Sequence, residues 1–397
     1  MGCTFALVVA TMGVKLACFT KAALICPAKR TVRCRAFRVG RAAGFKGNRR
    51  MTLPIMDLDS WTLSQSIVVF SVCALVIAIA GTRITRVVDQ LADRTGLGEA
   101  TAGAVLLGAA TSLSGSVLSV TAAYRGHPEL AVSNALGGIA VQTFFLAIAD
   151  MVYRRANLEH AAASAPNMMQ NGLLIALLAL LLLAPTLPDV TVWNIHPITP
   201  ILLGFYFYGT RLIQGAGDNP MWYPSVTSDT RQDEPESESS LPSLSRLWTE
   251  FLVLMATLGV AGLVLEPAAT TISAEAGLSQ TIVGVLLTAI STSIPELVTS
   301  VAAVRRGALT LAVAGIIGGN AFDTLFMAAS DIAYRQGSLY HAMTLDSERW
   351  VALTLLMSAI LIMGLIRRER YGVGRIGAES LAIMVLYGLG VMLMFAG

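Results

Sequence analysis

The sequence predicts an all-α polytopic membrane protein, with about ten transmembrane helices arranged as two inverted five-helix repeats. Composition, apolar block length and a long internal repeat lead there. Of the 397 residues, 55% are hydrophobic and 13% charged, too apolar a balance for a chain surrounded by water. The apolar residues come in blocks of 18 or more, each able to cross a hydrocarbon core of about 30 Å as a helix.

From Met51 onward ten spans are predicted, at 62–82, 98–124, 128–153, 170–187, 194–214, 247–268, 279–304, 308–334, 350–366 and 376–396. Between the fifth and sixth lies an acidic stretch, 215–246, containing SDTRQDEPESESSLPSLS. It is Ser/Pro-rich and poor in aromatics, so it reads as a flexible linker. It separates a first half, 62–214, from a second, 247–397. Arginine placement orients the spans. With the start of the first span outside, the inner loops hold 14 arginines and the outer ones three (Arg125, Arg335 and Arg349), which puts the linker in the cytoplasm.

The repeat appears when the chain is slid along itself by 181 residues. Gly103–Ala161 then falls on Gly284–Ala342 without a gap, with 25 of 59 positions identical. Shared residues include Thr111/Thr292, Ser112/Ser293, Gly138/Gly319, Asp150/Asp331 and His160/His341. An odd number of spans per half turns the halves upside down relative to each other. Secondary transporters are built this way, with their sites at the bilayer midplane between the halves.

The first 50 residues differ from the rest. They hold all four lysines, seven arginines and no acid, whereas residues 51–397 hold 17 arginines and 25 acids, a net charge of −8. Residues 1–55 are therefore set apart as a basic extension. It is read as a start placed upstream of Met51 or Met56, as a targeting segment, or as an extra membrane-associated helix at 4–27. The five cysteines form no CxxC pair and the four histidines no HExxH, so neither a disulfide framework nor a zinc site is expected.

The chemistry concentrates in two adjoining spans of the second half. In STSIPELVTS, Thr292, Ser293 and Glu296 share one helix face, at spacings i, i+4 and i, i+3. Pro295 lacks an N–H, so the Ser291 carbonyl loses its helical partner. In GIIGGNAFDTL, Gly319 and Asp323 are i, i+4. Carboxylates inside a membrane are costly and mark ion pathways or proton relays. Hydroxyls, freed carbonyls and carboxylates together make a cluster of hard oxygens, the donors Na⁺ and Ca²⁺ prefer. The hydroxyls taken singly also suit plain helix packing. Asp150 and Asp331 sit near span ends, where a carboxylate is cheap, and a gating role is the alternative.

TSIPEL followed by GGNAFD resembles the second α-repeat of the Na⁺/Ca²⁺ exchangers, within the Ca²⁺/cation antiporter superfamily. The resemblance covers 62–397 and is weaker in the first half. It implies ten core spans in two inverted halves and an intracellular linker. It also implies ion ligands at Thr292, Ser293, Glu296, Gly319, Asn320 and Asp323, and at Thr111, Ser112, Gly115, Gly138 and Gln142. Several positions depart from the family pattern. Gly115 and Ser114 stand where the family's first repeat has its glutamate and proline, and Gly138 and Gly319 stand where each repeat has a ligand serine. Such a site should hold Ca²⁺ less tightly.

These readings point to a cation antiporter moving Na⁺, Ca²⁺ or H⁺, with a sodium/proton exchanger and a non-transporting relative as alternatives. An intramembrane hydrolase lacks its histidine or second facing aspartate. No cofactor is implied beyond the transported cations. The expected partners are membrane lipid and those cations, with no nucleic acid and no obligate protein partner. The expected location is the plasma or inner membrane.

Overall fold

Inside a bilayer no water satisfies backbone N–H and C=O groups, so a chain this apolar closes its hydrogen bonds within each segment, as helices. A computed structural model describes residues 61–95, 108–153, 156–218, 242–307, 309–370, 372 and 376–396. Met56–Gly397 form one unit. Among the described residues there is no strand, only an isolated bridge between Val192 and Ile195.

In the first half the helices are α1 (Leu63–Thr95), α2 (Gly108–Thr111), α3 (Leu113–Arg125), α4 (Pro128–Val152), α5 (Leu158–Ala161), α6 (Ala165–Leu183) and α7 (Ile198–Asp218). The second half has α8 (Leu244–Ala276), α9 (Gln280–Ile282), α10 (Ala289–Arg306), α11 (Leu309–Ala333), α12 (Leu345–Arg367) and α13 (Ala378–Ala396). Local signals set many of these ends. Pro128 opens α4. The hydroxyls of Ser164, Ser279 and Thr344 accept from backbone N–H groups at the starts of α6, α9 and α12. Gly126 and Gly307 end α3 and α10 with φ of 86° and 89°, a left-handed turn that a side chain would strain.

Eight of these helices are long and apolar enough to cross a membrane, which makes this an integral, multi-pass protein. Two of the ten predicted spans differ. The fifth is present as α7, 21 residues long, but its glycines, tyrosines and Arg211 dilute its apolarity. The second, 98–124, is described only from Gly108, where it forms two helices broken at Ser112. Residues 1–55 and 98–107, most of the linker (219–241), and Arg154, Arg155, Arg231 and Arg375 lie outside the described residues.

α10 runs on through Pro295, and the second half departs from α-geometry earlier, in a π-helical turn at Val283–Thr288. The first-half counterpart of the Pro295 stretch, ATSLSGSVLS, has no proline, yet it is the one broken at its Thr-Ser pair.

The packing respects the 181-residue offset. α1 packs along α8, and α4 against α11. α1 touches α10 as α8 touches α3; α11 touches α6 and α7 as α4 touches α12 and α13. Two close approaches repeat the rule. A Cβ on Gly81 would meet Pro295 Cγ at 2.2 Å, and one on Gly262 would meet the Ser114 carbonyl at 2.4 Å. Gly81 and Gly262 are one offset apart, as are Ser114 and Pro295. α4 and α11, the most enclosed helices, run through the centre.

Candidate ion site

The polar residues singled out from the sequence converge on the α4–α11 contact. α10 contributes Thr292, Ser293 and Glu296, and α11 contributes Gly319, Asn320 and Asp323. From the first half come Thr111 at the end of α2, Ser112 in the break, and Gly138 and Gln142 on α4. Every polar side chain in this set is buried.

At the centre, Gln142 Nε2 donates to Asp323 Oδ2 at 2.6 Å, with Ser293 Oγ at 3.4 Å. Gln142 and Asp323 are offset counterparts, so this is the point where each half meets its own equivalent. Glycines make room around it. A Cβ on Gly138 would lie 3.6 Å from Asp323 Oδ2, and one on Gly319 would lie 3.2 Å from Gln142 Oε1. The Thr111 hydroxyl lies beside Glu296 and that of Ser112 beside Asp323, and the two carboxyls are within electrostatic reach of each other.

Five buried oxygens here lack a well-formed hydrogen bond: both of Glu296, Asp323 Oδ1, Gln142 Oε1 and Ser112 Oγ. A buried acceptor left unmade costs about 1–3 kcal/mol, and more if charged. A set of them around one point is what a cation or proton would relieve. Beside them is a cavity of about 10 Å³, room for roughly one water-sized particle. Of the expected residues, Ser112, Gly138, Gln142, Thr292, Ser293 and Asp323 line it; Glu296, Thr111, Gly319 and Asn320 do not. Asn320 instead donates to Thr143 Oγ1 at 2.9 Å, joining α11 to α4.

Gly115, also expected, lines it too, and two wall residues come in addition: Asn134 and Phe326. Asn134 Nδ2 donates to the Gly115 carbonyl at 3.1 Å and to Ser119 Oγ at 2.9 Å, leaving its own Oδ1 without a partner. The sequence also concealed Glu266, fully buried in α8, with Oε2 3.1 Å from Arg125 Nη1. Its signal was a lone carboxylate before Pro267 in an apolar run. Thr85 stands one offset away, so the repeat did not flag it.

Asp150 and Asp331 are fully buried, against the expectation of cheap interfacial carboxylates. Each clamps a connection. Asp150 accepts from the N–H of Leu158 at 2.6 Å and of Gly377 at 2.9 Å. Asp331 accepts from Leu339 N–H at 3.0 Å, His196 N–H at 2.9 Å and the Thr199 hydroxyl at 2.6 Å. Leu158 and Leu339, like His196 and Gly377, are one offset apart.

The fold is that of a multi-pass helical membrane protein with carboxylates, hydroxyls and amides buried in its interior. The sodium/calcium exchanger protein family matches residues 65–213 and 247–396, and the chain belongs to that family. Over 212 residues it is 28% identical to CaxA, an antiporter candidate of Alkalimonas amylolytica; the match covers 53% of this chain. The chain spans 62% of that relative's length. The crystal structure of the H⁺/Ca²⁺ exchanger CAX superposes with a TM-score of 0.62 at 12% identity, over 83% of this chain and 87% of that one. A structure of the sodium-calcium exchanger NCX_Mj superposes at 0.55 and 17% identity, over 83% and 99%. At such identities the likeness is one of fold.

Proposed function

We propose that the chain is a secondary active cation antiporter of the sodium/calcium exchanger type, working by alternating access. In this reading ten spans form two inverted halves, 62–214 and 247–397, around an ion at mid-membrane. The arginine distribution puts the connecting segment, 215–246, in the cytoplasm of a cell-membrane protein. The observation that carries the reading is the Gln142–Asp323 contact. A residue meets its own repeat counterpart, in the interior, beside a one-particle cavity and unpartnered carboxylate oxygens.

Glu296 and Asp323 supply the charge. Thr111, Ser112, Gln142, Thr292, Ser293 and Asn320 supply neutral oxygens, and Gly138 and Gly319 let the backbones approach. Thr292 spends its proton on the carbonyls of Thr288 and Ala289, leaving its oxygen lone pairs to the cavity. The names of the similar structures, an H⁺/Ca²⁺ exchanger and a sodium-calcium exchanger, support Ca²⁺ as one passenger, with Na⁺ or H⁺ driving it.

A second reading, sodium/proton exchange, is favoured by the donor set. Ca²⁺ takes six to eight oxygens, and this cavity has glycine at 115 and 138, with Gln142 turning an N–H toward Asp323. Purified protein in lipid vesicles decides between them. Imposed Na⁺ and H⁺ gradients should drive Ca²⁺ uptake under the first reading, and only Na⁺-coupled proton movement under the second. No gradient-driven flux of any of these ions would overturn both.

A further inference from the structure

The two clamps at Asp150 and Asp331 are built on one plan with one chemical difference. At the Asp331 clamp, Thr199 Oγ1 donates to Asp331, so the bond of 2.9 Å between Thr199 Oγ1 and Tyr340 runs from the phenol to the threonine. The relay is Tyr340 O–H to Thr199 O–H to Asp331, each donor used once. One offset away, Tyr340 becomes Glu159 and Thr199 becomes Ser380. Ser380 Oγ lies 2.7 Å from Glu159 Oε1 and also faces Asp150.

A serine has one proton to donate. With Glu159 ionised, two buried carboxylates compete for it. With Glu159 protonated, the relay of the other clamp is restored: Glu159 O–H to Ser380 O–H to Asp150. Glu159 is 3% exposed and its Oε2 has no partner. That oxygen and Asp150 Oδ2 converge on Gly377, where a Cβ would lie 2.9 Å and 3.5 Å from them.

We propose that Glu159 and Asp150 form a proton-binding site that ties the start of α13 and the α5 segment to the end of α4 when occupied, and loosens them when empty. The arginine distribution puts this site on the cytoplasmic side and the phenolic clamp outside, so only the cytoplasmic end responds near neutral pH.

The charged surroundings agree. Glu379, on α13, adds a second negative charge. Among the described residues, Arg367 lies 3.3 Å from Glu369 and 3.7 Å from Glu379, and Arg368 donates to the His160 carbonyl. His160 Nδ1 is turned to the Arg368 carbonyl. Burial first, then Asp150, pushes the Glu159 carboxyl up to about 7. Burial pushes the Tyr340 phenol up as well, so it stays protonated throughout.

Amide hydrogen exchange on the purified full chain in lipid tests this, with the phenolic clamp as internal control. Between pH 6 and pH 8, protection of Leu158 and Gly377 should fall several-fold relative to Leu339 and His196. Glu159→Gln, which supplies an N–H donor to Ser380 and cannot ionise, should remove that fall. So should Glu159→Tyr combined with Ser380→Thr, which transplants the neutral relay and covers a failure of the first variant to fold. A protection ratio independent of pH in the parent, or an unchanged fall in either folded variant, would overturn the proposal.

Discussion

At Gly115 the cavity wall has no side chain, and the Asn134 amide donates to its carbonyl. A Cβ there would meet Phe326 Cε2 at 3.3 Å, Thr292 Oγ1 at 3.5 Å and Asn134 Nδ2 at 3.7 Å. A side chain fits once the Phe326 ring shifts slightly, and it would enter among the oxygens proposed to hold the cation. Gly115→Glu should therefore tighten Ca²⁺ binding by about 1–3 kcal/mol, the worth of one charge-assisted contact. Ca²⁺ competition against Na⁺ binding in the purified protein checks this, and unchanged competition would show that position 115 does not set selectivity. Glu296 and Asp323 were legible because a carboxylate in an apolar helix is conspicuous whatever surrounds it. Asn134 and Phe326 were not singled out as wall residues, since asparagine and phenylalanine in a membrane helix suit packing equally well. Only the cavity separates the two uses.

Between elements, two tight joints related by the offset are where α8 crosses α3 and α1 crosses α10. At Gly262 the obstructing atom is a backbone carbonyl, which cannot rotate away. Gly262→Ala should push the helices apart and cost about 1–3 kcal/mol or more, read as a lower thermal midpoint in detergent; an unchanged midpoint would contradict the packing. The α5 segment makes its own prediction through Glu159. Its carboxyl holds a proton up to about pH 7 in the folded chain, but gives it up near pH 4.3 once unfolded. Below that range both states are protonated and the group is neutral to stability. As pH rises through the window the unfolded state ionises first and is favoured. Stability should fall toward pH 7 by about 3 kcal/mol in total, and Glu159→Gln should lack that component of the slope. Helix positions were largely readable from apolar blocks and Gly-terminated ends, as at Gly126 and Gly307. The break at Ser112 and the π-turn at Val283–Thr288 were not. Pro295 marked a lost hydrogen bond correctly, yet tertiary packing decides where a helix actually departs from regularity.

For the whole molecule, the 181-residue offset was the most informative property of the sequence. It organises the glycine contacts, both aspartate clamps and the meeting of Gln142 with Asp323. It was legible because two halves under the same packing constraint retain small residues and buried polar groups at matching positions. What departs from it, Gly115 opposite Glu296 and Glu159 opposite Tyr340, is where the halves have taken different tasks. The central claim is that the buried carboxyls between the halves carry the transported cation. Gradient-driven cation flux in vesicles, parent beside a Glu296→Gln/Asp323→Asn double variant, tests it most directly. The amides keep shape and remove both charges, so the variant should insert and fold as the parent does and transport nothing. Flux equal to the parent's would show that the ion passes elsewhere.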